Sequence, residues 1–245
     1  MDSPGYIVLS RLSAQQRTAA VTAHNLANAD TPGFRASRPL FAEFLESQGR
    51  AVERQQRPAA YVWDRATWRS NDPGSIQQTG NRFDFAIEGE GYFVVETPRG
   101  ERYTRAGRFA PGQDGRVLDA EGNALLGANG RPIVLAATDT RIEVMGDGTV
   151  RSENGVLGRI RVVRFADEQK LRAEGARLLA ADDAAEDVPR PRIVQGAVEG
   201  SNVEAVVEMT RMMEELREFQ MATQFLEREG ERIAAAVDRL LRRRG

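Results

Sequence analysis

The sequence predicts an α+β chain, with a central antiparallel all-β domain flanked by N- and C-terminal long α-helices that pair in a coiled-coil-like layer. Three observations carry this. Near the C-terminus, Met209, Met212, Leu216, Phe219, Thr223, Leu226, Gly230, Ile233, Val237 and Leu240 fall alternately three and four residues apart. That spacing keeps one seam on a partner helix. Leu9, Leu12, Gln16, Ala19, Ala23 and Leu26 repeat it at the other end, as a thinner stripe whose small residues let another backbone approach. Between the two lies a turn-dense tract: of 23 glycines, 15 fall between Gly74 and Phe165.

Taken in order, Ser3 and Pro4 suit a helix N-cap and first position, and the helical pattern runs to about Asn28. Ala29-Asp30-Thr31-Pro32-Gly33 breaks it, and Phe34 re-enters an apolar environment. A second short helical pattern covers Pro39 to Leu45, with Leu40, Phe41, Phe44 and Leu45 clustered on one side. From Glu46 to Asn71 charged residues surround the isolated aromatics Tyr61, Trp63 and Trp68, which reads as an extended connector.

Phe83, Phe85 and Ile87 then alternate with Asp84, Ala86 and Glu88, giving a strand with one apolar face. Further strands are expected at Tyr92–Val95, Glu101–Thr104, Val117–Asp119, Ile133–Leu135, Arg141–Val144, Thr149–Arg151 and Arg159–Phe165, separated by turn signals such as Asn129-Gly130 and Asn154-Gly155. The acidic stretch from Ala180 to Asp187, followed by Pro189-Arg190-Pro191, favours an exposed loop. Ser201 with Glu204 three residues on makes a capping box, opening a helix expected from Asn202 to Arg244. At ~1.5 Å per residue that helix reaches roughly 60 Å, beyond the width of a small β domain. The expected division is therefore a discontinuous helical assembly domain of residues 1–35 plus 200–245, connectors at 36–73 and 166–199, and a β domain at 74–165.

Composition excludes several functions. The 245 residues suffice for a core without covalent staples. The absence of cysteine rules out disulfides, thiolate metal sites and cysteine nucleophiles. A net charge of −2, from 34 basic and 36 acidic residues, leaves no electrostatic footprint for nucleic acid, so no nucleic-acid partner is expected. No run approaches the ~20 apolar residues a membrane span requires, and the opening residues lack a basic n-region and a continuous apolar h-region. Neither a membrane span nor secretion by a cleaved signal peptide is expected.

Catalytic chemistry is hard to build from these residues. A Ser-His-Asp arrangement would have to use the lone His24, whose neighbours Asn25, Leu26 and Ala27 read as helix surface or interface. Asp84, Glu88 and Glu90 could be drawn as paired carboxylates, but the last two flank the Gly89 and Gly91 turn. Asp114, Asp119 and Glu121 miss the spacing of a calcium loop, and Gly89-Glu90-Gly91 lacks the third glycine and following helix of a dinucleotide cradle. Arg242-Arg243-Arg244 complements a helix C-terminus. No catalytic residue, cofactor or metal is expected. An enzyme or carbohydrate-binding protein housed in the β domain and oligomerised by its helices is the alternative class, and it requires a deep cleft with converging carboxylates.

Ala23-His24-Asn25-Leu26-Ala27-Asn28-Ala29-Asp30-Thr31-Pro32-Gly33-Phe34-Arg35 resembles the N-terminal signature of the bacterial flagellar rod and hook family, with His24 where an asparagine is usual. Phe85 to Val95, Tyr103 to Phe109, Ser201-Asn202-Val203 and Glu208-Met209 resemble later parts of the same family in the same order. Length, the opening Met1-Asp2 and the lack of a large inserted domain most resemble its proximal-rod branch, with the distal-rod branch as the alternative. Arg82 stands where the family often has proline, and Arg108 where it often has asparagine.

The resemblance implies a non-enzymatic structural subunit of the flagellar basal-body rod, the self-assembling shaft that crosses the periplasm and carries torque to the hook. It implies as partners copies of the chain, the proximal and distal rod proteins, and the type III export apparatus, with export lacking a cleaved signal. The assembly interface is then expected at Leu9, Leu12, Ala19, Leu26, Met209, Met212, Leu216, Phe219, Leu226, Ile233, Val237 and Leu240. Asn25, Asn28, Thr31, Pro32, Gly33 and Phe34 form the family-motif turn that joins helix to body.

Overall fold

A computed structural model describes residues 3–46, 59–175 and 177–242. The architecture is α+β: helix α1 spans Ser3–Ala27, helix α2 spans Ala205–Arg242, and eighteen strands lie between them among the described residues. Every strand pair with a recorded register is antiparallel. The chain divides into two compact units. One takes in Met1–Leu26, Ser37–Trp68 and Glu204–Gly245, the other Ala27–Ala36 and Arg69–Val203.

The second unit is the β body. Its main sheet runs in the order Arg172–Glu174, Leu178–Ala180, Gly100–Thr104, Tyr92–Thr97, Ala124–Leu125, Val117–Leu118 and Ala110–Pro111, with Val162–Arg164 also on Tyr92–Thr97. Tyr92–Thr97 is central because both its faces are apolar. Phe93 and Val95 join the larger core with Phe85, Phe109, Leu125 and Ile160, while Tyr92 and Val94 join a second cluster with Tyr103, Val163, Phe165 and Leu171. Phe109 fixes the first core geometrically, stacked on Phe85 and edge-on to Phe93, each at 5.7 Å between centroids. A separate three-stranded sheet, Ile142–Val144, Thr149–Ser152 and Gly155–Arg159, turns Ile142, Val144 and Val150 into the same core.

In the other unit the strands Ser37–Glu46 and Ala59–Arg69 form a two-stranded sheet. This corrects one expectation, a helix over Pro39–Leu45, and gives the extended connector read from Glu46 to Asn71 a strand over Ala59–Arg69. Proline at 39 pushes Arg38 toward extended backbone, and a seven-residue helix is too short to sustain itself without packing. The Asn25 side chain completes the argument: its Oδ1 accepts from the Ser37 amide at 2.9 Å and its Nδ2 donates to the Ser37 carbonyl at 2.8 Å, standing in for a neighbouring strand.

Three smaller corrections follow the same logic. The segment 166–199 is woven into the sheets, through Leu178–Ala180 on Tyr103, Ile193–Gln195 on Phe85–Ile87 and Ala197–Glu199 on Ile76–Gln78. Its acidic stretch is held by Lys170–Asp183, Arg172–Asp182 and Arg161–Asp187 ion pairs. Ile133–Leu135 makes isolated bridges only. Helix α2 begins at Ala205, three residues later than expected, because Ser201 Oγ accepts from the Val203 amide and Asn202 is engaged elsewhere.

Candidate assembly interface

At about 1.5 Å per residue α2 is roughly 57 Å long, and its surface is the most apolar exposed feature of the described chain. Met209, Met213 and Leu216 follow one another at four- and three-residue spacing, each about half exposed (51%, 51% and 49%). Phe219, Met221, Phe225 and Ile233 are exposed as well. A soluble helix ordinarily turns such residues into its own core; here they face outward. The expected heptad row is split by the real helix, which turns Met212, Thr223 and Leu226 half inward and leaves Met209, Leu216, Phe219 and Ile233 outside. A 3.5-residue repeat drifts on a straight helix of 3.6 residues per turn, so the row cannot stay on one face. Leu9 on α1 is exposed, and Leu12, Ala19 and Leu26 are half-buried. The side chains of Val237 and Leu240 lie outside the described residues.

Several polar side chains of α1 reach side chains of α2, which the apolar periodicity did not reveal. Thr22 Oγ1 donates to Glu215 Oε1 at 3.0 Å, Gln15 Nε2 donates to Glu218 at 3.2 Å, and Arg11 approaches Glu218 at 3.7 Å. Asn25, buried, reaches the buried Glu208 at 3.4 Å, and Glu208 is also paired with Arg38 and Arg211. Toward the start of α1, Val8 and Arg11 face Met221, Ala222 and Phe225 across an open groove of about 380 Å³. The readable signal was the row Gln15, Thr22, Asn25, spaced seven and three apart.

Glu215 is the strained member of this row. Its Oε2 is buried with no hydrogen-bond partner. Burial pushes its carboxyl above the ordinary value, the Thr22 hydrogen bond opposes that, and the nearby Glu208 and Glu218 carboxylates add to it. A carboxyl raised in the folded state favours folding while protonated, and that contribution is lost as pH rises through its folded value. Glu215→Gln is therefore expected to raise the melting temperature of the full chain at pH 7. The advantage should shrink as pH falls and the native carboxyl takes up its own proton. Thermal scans at pH 4 and pH 7 check this, and a gain that ignores pH contradicts it.

In the β body the motif residues build a turn. Asn28 to Gly33 leaves α1, with the Thr31 amide on the Asn28 carbonyl, Thr31 Oγ1 on Asn28 Oδ1 and the Phe34 amide on the Thr31 carbonyl. Pro32 and Phe34 are buried, whereas Asn25 remains inside α1. Gly33 has φ +70°, and its amide donates to the Glu199 carbonyl at 2.8 Å.

Around this turn lies a buried polar cluster. Arg105 pairs with Glu199 at 2.9 Å, with 3% and 2% of their side chains exposed, and also donates to the Ile87 and Gly89 carbonyls. Arg35 pairs with Glu168 at 3.0 Å, and Tyr92 Oη donates to the same carboxylate at 2.8 Å. Both guanidiniums lie over the Tyr92 ring, 5.7 and 5.5 Å from its centroid. Burial pushes the Tyr92 phenol up and the Arg105 guanidinium down, the latter opposed by Glu199. Asn202 ties the exits: its Oδ1 accepts from the Ala36 amide at 2.7 Å, its Nδ2 donates to the Asp72 carbonyl at 2.8 Å, and its own amide reaches the Phe34 carbonyl. Sequence reading missed this cluster, because Arg105 and Glu199 lie 94 positions apart. The one local hint was an arginine set among Tyr103, Ala106 and Phe109.

The residues weighed for chemistry serve turns instead. Asp119 Oδ1 accepts from the Glu121 and Asn123 amides, Asp114 Oδ1 from the Arg116 amide, and Asp84 Oδ1 from the Asn81 side chain. Glu88, Glu90 and His24 are exposed. The cleft of about 460 Å³ beside Arg82, Phe83 and Leu135 carries two acids, Asp114 and Asp139, both engaged in such turns. Among the described residues no group of histidine, aspartate and glutamate side chains could hold a metal ion, and no helix is long and apolar enough to cross a membrane. Arg242 pairs with Asp238 within its own helix, while Arg243 and Arg244 lie outside the described residues.

Three family models match the chain in order. Residues 6–35 match the flagella basal body rod protein, residues 86–152 the D1 domain of the flagellar hook protein FlgE/F/G, and residues 194–239 the C-terminal region of the flagellar basal body rod FlgEFG protein. The flagellar basal-body rod protein FlgF of Mesorhizobium japonicum is 34% identical over 218 residues, 88% of each chain. FlgF of Caulobacter vibrioides is 31% identical over 98% of each chain, and FlgG of Agrobacterium fabrum is 30% identical over 88% of this chain and 90% of its own. Similarity of this extent, covering the first helix, the body and the last helix, establishes that the chain belongs to the flagellar basal-body rod protein family.

Proposed function

We propose that this chain is a structural subunit of the proximal flagellar rod, self-assembling through its terminal helices into the axial shaft that transmits torque to the hook. The outward row Met209, Met213 and Leu216 on α2 carries this reading. Full burial of such a side chain is worth roughly 1.5–3 kcal/mol relative to full exposure, and at half exposure about half of that is still to be gained, so a helix that leaves the row in water gains from a neighbour's helix. On this reading Met1–Leu26, Ser37–Trp68 and Glu204–Gly245 supply the assembly layer, and Ala27–Ala36 with Arg69–Val203 the β body. The interface comprises Leu9, Leu12, Ala19, Leu26, Met209, Met212, Leu216, Phe219, Leu226, Ile233, Val237 and Leu240, joined by Met213 on the ground of its exposure. The hydrogen bonds from Thr22 and Gln15 to Glu215 and Glu218 support coiled-coil-like pairing of α1 with α2.

Head-to-tail contacts that do not close into a ring generate a helical tube. Its partners are copies of the chain, the other rod proteins and the type III export apparatus, which delivers it without a cleaved signal to the rod across the periplasm. The relatives are named as flagellar basal-body rod proteins, which supports a non-enzymatic role for the chain. The FlgG relative favours the distal rod as the second reading.

A chain without cysteine permits a single reporter. Met213→Cys carrying a photo-crosslinker is expected to couple, in isolated basal bodies, to a second copy or to another rod protein. Basal bodies that lack the chain, or a reporter that couples to nothing there, would overturn the proposal.

A further inference from the structure

We infer that the cluster centred on Glu199 and Asn202 is a clasp that locks the chain's exits from the β body into one mechanical unit, through which torque enters that body. The inference rests on the rod reading above and goes beyond it, because an assembly layer explains neither the cluster's burial nor its connectivity.

Of the four chain crossings between the two compact units, after Leu26, Ala36, Trp68 and Val203, the last three adjoin residues 33–36, 69–74 and 199–203. Each is tied to the others directly. Gly33 donates to the Glu199 carbonyl, Ser70 to the Ala36 carbonyl at 2.8 Å, and Gly74 to Glu199 Oε1 at 3.1 Å. Asn202 bridges Ala36 and Asp72. The remaining oxygen of Glu199 takes Arg105, which anchors the set to the sheet through the Ile87 carbonyl. A stretch that needed only to be soluble would leave these backbone groups to water. Here a buried ion pair and a half-buried amide serve three separate segments of chain, and such networks fix one arrangement against others. Shear applied along any one exit is shared among all three and delivered to the strand pair that carries Phe85 and Ile87.

The test has a chain-level and a cell-level readout. In the purified full chain, Asn202→Ala removes the acceptor of the Ala36 amide and the donor to the Asp72 carbonyl and Ser70 Oγ, while leaving the acceptors of the Gly33 and Gly74 amides in place. If the clasp is one unit, the Gly33 and Gly74 amides, which do not touch Asn202, should also exchange with solvent at least about tenfold faster, since protection follows the opening of the whole cooperative element. The Phe93 and Val95 amides should stay unchanged. Acceleration confined to Ala36 would overturn the clasp.

Should the body amides accelerate too, Glu199→Gln, which keeps the shape and removes the charge, replaces it and must reproduce the pattern. In cells the same variants should build flagella yet lose swimming speed disproportionately as viscosity rises. A speed–viscosity curve superimposable on the native one would refute the torque role. Normal flagella in a strain lacking the chain altogether would instead refute the rod reading, leaving the exchange result intact.

Discussion

Phe219→Asp is expected to abolish motility while the purified chain keeps its fold. Phe219 is 41% exposed on α2, and its carbonyl accepts from Thr223 Oγ1 whatever side chain it carries. Away from caps, cores and buried polar networks, a surface substitution usually changes stability by about 0.5 kcal/mol or less. The monomer therefore has little to lose. An assembled seam has a great deal to lose, because a carboxylate enclosed without a partner costs about 3–5 kcal/mol, and the cost recurs at every copy. Swimming in soft agar and thermal unfolding of the pure chain separate the two effects. Leu226→Asp, at a half-buried position, should match it in motility and lower the melting temperature further. Normal swimming by the Phe219 variant would sink the assembly role of this face.

The contrast between Phe219 and Glu199 shows what the sequence could and could not reveal. The two helices, the antiparallel body and the turn at Thr31–Gly33 were legible because each rests on local periodicity or on proline and glycine chemistry. Pro39–Leu45 misled because four apolar residues in seven fit a helical face as well as a strand. The decision came from Asn25, whose amide pairs with Ser37 and lies twelve positions upstream. The same holds for Glu215 and Arg105. Charged residues read singly as solvated surface, and only contacts across about two hundred and about one hundred positions make them buried partners. The heptad row gave the right helix, and the helix divides that row, with Met209 and Leu216 exposed and Met212 and Leu226 half-buried.

Gly33→Val is expected to be among the most damaging single changes in the body, and Gly80 supplies its control. Both glycines sit in the left-handed region, at φ +70° and +71°, which costs an L-residue about 1–2 kcal/mol and more when it is β-branched. Their surroundings differ completely. A Cβ at Gly80 would meet nothing within 4 Å. At Gly33 it would overlap the Arg105 carbonyl carbon and lie 2.5 Å from the Ala106 nitrogen and 2.7 Å from the Arg105 oxygen. These are backbone atoms, and Arg105 is held by Glu199, so neither side can yield without opening the buried pair. The close approach should add at least about 2–3 kcal/mol, the range of overpacking in a tight site. In urea unfolding of the full chain, Gly33→Val should fall well below Gly80→Val, and it alone should fail to support rod assembly. Equal losses from the two variants would mean that dihedral preference, not the contact with Arg105 and Ala106, is what demands glycine at the turn.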